Sequence, residues 1–463
     1  RRRRRRIMTA DEEMEVRMGR TRPLGHRLVL FPSPFQGHIN PMLQLATLLF
    51  NRGFSITVVH TRFNAPDPAS HPDFRFVPID DSLGELASSS DLVDRVMAIN
   101  SGCRGPFRDR MARLLEEADR EGEEPVACLV ADAMLYSANA VAEELGVRRV
   151  LLRTSSAGYV RLFGEFLTLS EEGSYLIPDQ RRRVRELMSF PGSNVDSFRE
   201  VVSHAMNGIR AAAALVLNTF EGLEPSDLAH LRRHLPSPIF TVGPLHKFSL
   251  DASSSLLAPD RSCIEWLDRQ APGSVIYVSF GSLACMEREE LLEAAWGLAG
   301  SRLPFLWVVR PGSVRGDETA GDLPREFSEE TLGRGVVVAW APQQEVLAHP
   351  AVGGFWTHCG WNSVVESLCE GVPMLCRPCF GDQTGNARCV SHVWKVGLLL
   401  EDELRRGEVE RAVRTLMVEE EGREGREMRE RAREIKEKAK SCIKQGGTSS
   451  ESMDKLVRFI LSF

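Results

Sequence analysis

The sequence predicts an α/β protein made of two doubly wound domains that face each other across a cleft. One reason is length, because 463 residues exceed what a single hydrophobic core usually supports. The other is a repeating pattern of predicted strands and helices. From Arg27 onward, short apolar or β-branched runs alternate with longer helical patterns, and this alternation restarts after a polar loop near Ser253. Ligands of such sheets bind outside the carboxyl ends of the strands, so the cleft is the expected functional site.

The first domain is predicted to span residues 25–245. Its apolar runs predict strands at 28–31, 56–60, 74–78, 126–130, 149–152, 214–218 and 239–241. A helix is predicted over 41–51, because Gly53 ends its apolar pattern. Residues 1–24 begin with six arginines and lack apolar periodicity, so they are predicted to form a disordered extension.

A linker is predicted over 246–262, because Gly243 and Pro244 open a polar, serine-containing loop. The second domain, 263–440, has a predicted helix at 263–268 and predicted strands at 275–280, 305–309, 336–338 and 354–357. The charged region 401–440 is expected to be a solvated helical face. The end of the chain, 441–463, is expected to be a helix that packs back onto the first domain.

Composition limits the possible partners. A net charge of -6 gives no field that would attract nucleic acid or an anionic membrane, so a small-molecule substrate is favoured. The ten cysteines are scattered through a chain in which we find neither a signal peptide nor an apolar run of membrane-spanning length. They are expected to be reduced thiols of a monomeric, cytoplasmic protein without stable membrane insertion.

The segment 354–366 has the pattern of an anion site. A predicted strand is followed by a polar, glycine-containing turn that begins at His358 and by the start of a helix. Free backbone N–H groups and the helix dipole at such a turn suit a phosphate. A purely structural interpretation also fits, because Asn362 and Ser363 are ordinary N-cap residues and Ser363 with Glu366 matches a capping box.

The longer segment 340–383 resembles the signature box of plant UDP-glycosyltransferases, which has the same length. The matching residues are Trp340, Pro342, Gln343, Leu347, His349, Gly353, Phe355, Thr357, His358, Gly360, Trp361, Asn362, Ser363, Glu366, Gly371, Val372, Pro373, Met374, Pro378, Asp382 and Gln383. Similarity extends over nearly the whole chain after Leu24. The N-terminal part resembles the subgroup that contains glucosyltransferases of steviol, cytokinins and benzoxazinones.

The resemblance implies the GT-B arrangement of two Rossmann-like domains and a UDP-sugar site in the second. The residues that it places at this site are Trp340, Ala341 and Gln343 at the uracil, Glu366 at the ribose, Ser282, His358, Asn362 and Ser363 at the diphosphate, and Trp361, Asp382 and Gln383 at the sugar. In this family, glutamine at the position of Gln383 accompanies glucose donors. UDP-glucose is therefore the expected co-substrate, with no other cofactor.

Two residues of the first domain are candidates for catalysis. His38 follows the first strand, in what reads as a strand-to-helix turn, and Asp132 ends another strand of the same sheet. A carboxylate there could hold one ring nitrogen and stabilise the charge that develops on the imidazole. The resemblance implies that His38 is the base and Asp132 its partner, whereas by itself Asp132 could equally be an N-cap.

The implied mechanism is a single displacement with inversion, in which His38 takes the proton of the acceptor hydroxyl while UDP departs. No metal is expected, because no D-x-D motif is evident at a suitable strand end. Two alternatives remain open: a UDP-sugar epimerase or hydrolase on the same plan, and a UDP-sugar-binding protein without catalysis. The sequence does not identify the acceptor, but apolar loops at 80–99, 154–165 and 175–198 suit a flat hydrophobic molecule with a hydroxyl or carboxyl group.

Overall fold

The computed structural model describes residues 24–81, 83, 91–120, 122–171, 194–248, 255–316, 323–400, 403–418 and 423–463. The predicted extension 1–24 lies outside these ranges except for Leu24, and so do residues 249–254 of the predicted linker. Among the described helices, none is both long and apolar enough to cross a membrane.

The first domain contains a seven-stranded parallel sheet. Its strands are β1 (Arg27–Phe31), β2 (Ser55–His60), β3 (Arg75–Pro78), β4 (Val126–Asp132), β5 (Arg149–Arg153), β6 (Ala214–Leu217) and β7 (Ile239–Thr241). Their spatial order is β3-β2-β1-β4-β5-β6-β7. The helices of this part are α1 (Gln36–Asn51), α2 (Leu92–Ala118), α3 (Tyr136–Glu144), α4 (Ala157–Glu171), α5 (Val195–Ala211), α6 (Pro225–His234) and α7 (Leu245–Phe248). Apolar clusters cover both faces of this sheet.

The second domain contains a six-stranded parallel sheet. Its strands are β8 (Val275–Ser279), β9 (Phe305–Val308), β10 (Gly335–Val338), β11 (Val352–Thr357), β12 (Met374–Cys376) and β13 (Gly397–Leu399), in the order β10-β9-β8-β11-β12-β13. The helices are α8 (Ser262–Leu267), α9 (Arg288–Ser301), α10 (Arg325–Glu330), α11 (Gln343–Ala348), α12 (Trp361–Glu370), α13 (Gln383–Arg388), α14 (Arg406–Met417) and α15 (Arg423–Ile443).

Each sheet has one point where the order of its strands reverses. In the first sheet the reversal lies between β1 and β4, and in the second it lies between β8 and β11. The connections that leave these neighbouring strands run to opposite faces of the sheet, which opens a crevice at their carboxyl ends. The fold therefore provides two crevices, one in each domain.

Helix α1 begins earlier than predicted. It starts at Gln36 instead of residue 41, so His38 lies in its first turn and not in a turn that precedes the helix. The prediction was wrong because Pro41 reads as a helix start, whereas it stands inside the helix. Proline has no N–H to donate to the carbonyl four residues back, which is that of Gly37. A donor from the other domain contacts this carbonyl, as described below.

The chain ends on the first domain. Helix α16 (Thr448–Ile460) packs beside β7 and contributes Met453, Leu456 and Ile460 to a core cluster of the first sheet. The Ser449 hydroxyl donates a 2.6 Å hydrogen bond to the carbonyl of Gly243. The chain therefore returns from the second domain to the first, and α16 connects the two domains at the β7 edge of the first sheet.

Candidate active site

A cavity of about 790 Å³ lies between the two domains. Both crevices open into it, because residues after β1, β4 and β5 of the first sheet and residues after β8 and β11 of the second line its wall. All the predicted site residues line this cavity except Asp132, which lies behind His38.

His38 and Asp132 come together at the reversal point of the first sheet. His38 Nδ1 lies 2.6 Å from Asp132 Oδ2, and Thr154 Oγ1 lies 3.1 Å from the same nitrogen. With the carboxylate as its acceptor, Nδ1 carries the proton of the neutral ring. Nε2 is then the nitrogen with a free lone pair, and the His38 side chain is 26% exposed.

Asp132 is fully buried yet held in its ionised form. Its second oxygen, Oδ1, accepts a 2.8 Å hydrogen bond from the Met134 N–H. Burial alone would raise the pKa of Asp132, but the imidazole of His38, the Met134 N–H and the charge of Arg153 together hold this pKa below its usual value. A buried carboxylate in this position stabilises positive charge on the imidazole.

An apolar surface, here called the acceptor wall, covers the first-domain side of the cavity. It is formed by Phe35, Leu92, Val96, Met134, Tyr159, Phe163, Phe198 and Val201. Most of these side chains project from α2, α4 and α5, so helices supply much of the wall that the sequence predicts from loops. Residues 82, 84–90 and 175–193 of the predicted loops lie outside the described residues.

The turn after β11 is shaped around His358. Cys359 adopts a left-handed conformation, with φ of 65°, and thereby turns the chain toward α12. The imidazole lies between two glycines, since a Cβ atom on Gly281 or Gly360 would approach His358 Nε2 to 2.6 or 2.5 Å. Burial lowers the pKa of His358 to about 4. The backbone of Ser279 raises this pKa, and the charge of Arg310 lowers it further. The ring is therefore neutral near pH 7.

The first turn of α12 faces the cavity without a side-chain cap. Its N-cap is Gly360, which places Asn362 and Ser363 inside the helix and contradicts the predicted structural interpretation of these residues as caps. Ser363 and Glu366 do not form a capping box, because each accepts a hydrogen bond from Gln343 instead. The N–H groups of residues 361–363 and the positive end of the helix dipole remain available for an anion.

Hydrogen bonds fix the residues predicted to surround the nucleotide. Gln343 donates to Ser363 Oγ at 2.9 Å and to Glu366 Oε2 at 2.7 Å, so both of its amide hydrogens are used. Glu366 also accepts from Gln344, and burial raises its pKa. The indole N–H of Trp340 donates to Ser255 Oγ at 2.7 Å. The ring is thus held at the cavity rim beside Ala341.

Asp382 and Gln383 lie where α13 begins, next to the first domain. Asp382 accepts a 3.1 Å hydrogen bond from Asn386, and burial raises its pKa against the opposing effects of Asn386, Arg153 and His38. Gln383 Oε1 accepts from the Cys379 and Phe380 N–H groups, which leaves its amide nitrogen for a ligand. Ser282, predicted at the diphosphate, lines the cavity after β8.

Two predicted donor-site residues use their side chains to contact the first domain. The indole N–H of Trp361 donates to the Asn218 carbonyl at 2.9 Å, so the only polar atom of this side chain is not available to sugar hydroxyls. Asn362 Nδ2 donates to the Gly37 carbonyl at 2.8 Å. What these residues present to the anion site in this structure is their backbone N–H.

Arg153 and Ser255 also line the cavity but were not predicted as site residues, and Thr154 was predicted only as part of the acceptor loop 154–165. For Arg153 a signal existed, because a charged residue directly follows the apolar run 150–152 of β5. For Ser255 no local pattern could reveal its contact with Trp340, which is 85 residues away. Within the described ranges, no group of three or more histidine, cysteine or acidic side chains has the geometry to hold a metal ion.

Comparison with known proteins identifies a family and close relatives of this chain. The family model described as UDP-glucoronosyl and UDP-glucosyl transferase matches residues 112–426. UDP-glycosyltransferase 76B1 of Arabidopsis thaliana is 43% identical over 460 residues, which cover 97% of this chain and 100% of the relative. DIMBOA UDP-glucosyltransferase BX8 of Zea mays is 43% identical over 459 residues, which cover 95% of this chain and 99% of the relative.

A solved structure shares the fold. Os79 from O. sativa in complex with UDP matches with a TM-score of 0.81 and 28% sequence identity, over 94% of this chain and 100% of that chain. The two parallel sheets and the cleft between them are thus the GT-B arrangement. From the family match, the identities and the shared fold, the chain belongs to the UDP-glucuronosyl and UDP-glucosyl transferase family and is a UDP-glycosyltransferase of the plant type.

Proposed function

We propose that this protein transfers glucose from UDP-glucose to a hydroxyl or carboxyl oxygen of a small hydrophobic acceptor, with inversion at the anomeric carbon. The observation that carries the proposal is the position of two groups on one cavity. The His38–Asp132 pair faces it from the first domain, and the uncapped start of α12 faces it from the second.

His38 is the proposed general base. Its Nδ1 is engaged by Asp132, so Nε2 takes the proton of the acceptor oxygen as that oxygen attacks the anomeric carbon. The imidazolium that forms is stabilised by the ionised, buried carboxylate. The bond from the anomeric carbon to the diphosphate breaks in the same step, and UDP leaves from the opposite face of the sugar.

The charge that develops on UDP would be stabilised without a metal ion. The N–H groups of residues 361–363 and the dipole of α12 offer a preorganised anion site. His358 adds a neutral imidazole that can donate one hydrogen bond, because its low pKa keeps it uncharged. We therefore expect activity to survive treatment with EDTA.

Glucose is the proposed sugar. Asp382 offers acceptors and Gln383 a free amide nitrogen, a combination that suits neighbouring sugar hydroxyls. The relative from maize is named a glucosyltransferase, which supports the same donor. The described residues of one chain line both sides of the cavity, and a monomer is the proposed state. The ten free cysteines suit a reducing compartment such as the cytoplasm.

The test is incubation with UDP-glucose and a panel of phenolic, terpenoid, cytokinin and benzoxazinone acceptors. Wild type should form a β-glucoside, identified by the anomeric proton coupling in NMR. His38→Ala should lower kcat by about 10²- to 10⁴-fold while the Kd for UDP stays unchanged. An α-linked product would refute inversion, and release of free glucose without a glucoside would indicate a hydrolase.

A further inference from the structure

Arg153 occupies an unusual place for a charged side chain. It is the last residue of β5, is only 4% exposed, and lines the cavity. Side chains alternate along a strand, so Arg153 lies on the same face of the sheet as Leu151, which packs into the cluster that includes the aromatic residues of the acceptor wall. The guanidinium is therefore buried on the acceptor side of the cleft.

Aromatic rings hold the guanidinium, but few hydrogen bonds do. The Arg153 Cζ atom lies 4.9 Å from the ring centre of Phe163 and 5.9 Å from that of Tyr159, and Nε donates to Ser155 Oγ at 2.9 Å. Among the described residues, neither Nη atom has a hydrogen-bond acceptor, and no carboxylate lies within 4.0 Å of the group. Arg153 lines the cavity, and its two Nη atoms are the polar atoms of the side chain that no described residue pairs.

Arg310 shows how this chain satisfies a guanidinium that has a structural role. Its Nε donates to the Gly281 carbonyl, Nη1 to that of Pro311 and Nη2 to that of Ala284, at 3.1, 3.1 and 2.6 Å. A buried cation without such partners is costly. Asp132 and Asp382 reduce that cost for Arg153 only through longer-range attraction. The hydrogen-bond acceptors that the described residues do not provide are those that a ligand would supply.

We propose that Arg153 binds an anionic group of the acceptor, so that the preferred acceptors are flat hydroxy acids with an ionised carboxylate or a similarly acidic oxygen. The two Nη atoms form the edge that pairs with a planar carboxylate through two parallel hydrogen bonds. The acceptor wall would cover the apolar ring, and a second oxygen would reach His38. This inference rests on the proposed function, since it names the class of acceptor for that site.

The test uses two acceptors that differ only in charge, 4-hydroxybenzoate and 4-hydroxybenzamide, with wild type, Arg153→Gln and Arg153→Lys. Loss of a charge-assisted pair should raise KM for the acid by about ten- to a hundredfold in Arg153→Gln. KM for the amide should change less than about threefold. In Arg153→Lys, KM for the acid should lie between the values of wild type and Arg153→Gln. The Kd for UDP, measured by calorimetry, should stay constant and reports that each variant is folded.

Arg161→Gln is the matched control, because Arg161 lies on α4 and is paired with Glu165 and Asp227 away from the cavity lining. It should leave the ratio of the two KM values unchanged. If Arg153→Gln raises KM equally for the acid and the amide, the proposal is overturned and Arg153 only packs against the acceptor wall. If the variant binds UDP-glucose more weakly, the proposal is overturned and Arg153 contacts the sugar donor instead. If wild type glucosylates neither compound, calorimetric binding of the acid to the UDP-loaded protein decides the proposal separately from the proposed function.

Discussion

Asn362 Nδ2 donates a 2.8 Å hydrogen bond to the carbonyl oxygen of Gly37, which belongs to the opposite domain. Within α1 this carbonyl lacks its usual helical donor, because Pro41, four residues further along, has no N–H to offer. The bond joins the first turn of α12 to the first turn of α1, which carries His38. One side chain thus links the proposed anion site to the proposed base.

This relationship predicts a specific coupling between Asn362 and Pro41. Asn362→Ala should lower the thermal midpoint of the wild type slightly, because the exposed Gly37 carbonyl loses a hydrogen bond worth at most about 1 kcal/mol and water can take the donor's place. In a Pro41→Ala background the loss should be clearly smaller, since the new N–H at position 41 can bind the Gly37 carbonyl within the helix. Calorimetry on the two single variants and the double variant measures the difference.

The control for this cycle is Thr47→Val, which removes the Thr47 hydroxyl bond to the Leu43 carbonyl within the same helix. Its effect should simply add to that of Pro41→Ala. Equal losses from Asn362→Ala in both backgrounds would show that the Gly37 carbonyl does not depend on this donor.

A second prediction concerns the space beside His358. In Gly281→Ala the new Cβ atom would lie 2.6 Å from the imidazole, which must then move away from its place beside α12. We expect the Kd for UDP to rise at least about tenfold, as the loss of one well-placed donor implies. Isothermal titration calorimetry with UDP measures this directly.

Gly273→Ala separates this collision from backbone strain. Gly273 has φ of 68° and Gly281 has φ of 73°, so alanine is strained by a similar amount at both positions, roughly 1–2 kcal/mol. A Cβ atom on Gly273 would meet nothing within 4 Å. Both variants should therefore lose stability, but only Gly281→Ala should lose UDP affinity. The interpretation fails if the two bind UDP equally well.

A third prediction follows from the pKa of His358. Burial lowers this pKa from 6.5 to about 4, so between these values the unfolded chain binds a proton that the folded chain does not. Stability should therefore fall as the pH decreases from 6.5 to 4, by roughly 3 kcal/mol from this residue, and should be independent of its charge above pH 6.5. The midpoint of thermal unfolding, recorded from pH 4 to pH 8, tests the sign.

His358→Gln should flatten part of this pH profile but not all of it. His246 is also buried, and burial together with the charge of Lys247 lowers its pKa to about 3, so it contributes in the same direction. The exposed residue His204 provides the control. His204→Gln should reproduce the wild-type profile, and a His358→Gln profile as steep as that of wild type would contradict the assigned pKa.

Much of the fold could be predicted because it depends on local pattern. The runs that form β1, β4, β8 and β11 are short, mostly apolar and bounded by turn residues, so each strand is encoded where it lies. Helix starts were less predictable. The predicted start of α1 was wrong because proline usually marks the first turn of a helix. Here Pro41 lies inside the helix, and Asn362 of the other domain donates to the Gly37 carbonyl that Pro41 cannot reach with an N–H.

The sequence by itself determined two α/β domains, the strand-to-helix turns after β1 and β11, and the residue types needed at a nucleotide-sugar site. Only the tertiary structure decided which of these residues meet. His38 and Asp132 are 94 residues apart, and they touch because β1 and β4 are neighbours at the point where the strand order reverses. In the same way, packing of the two domains joins Asn362 to Gly37 and places Arg153 in the wall of the cleft. Such contacts depend on the order of the strands and on the docking of the two sheets, which no short stretch of sequence specifies.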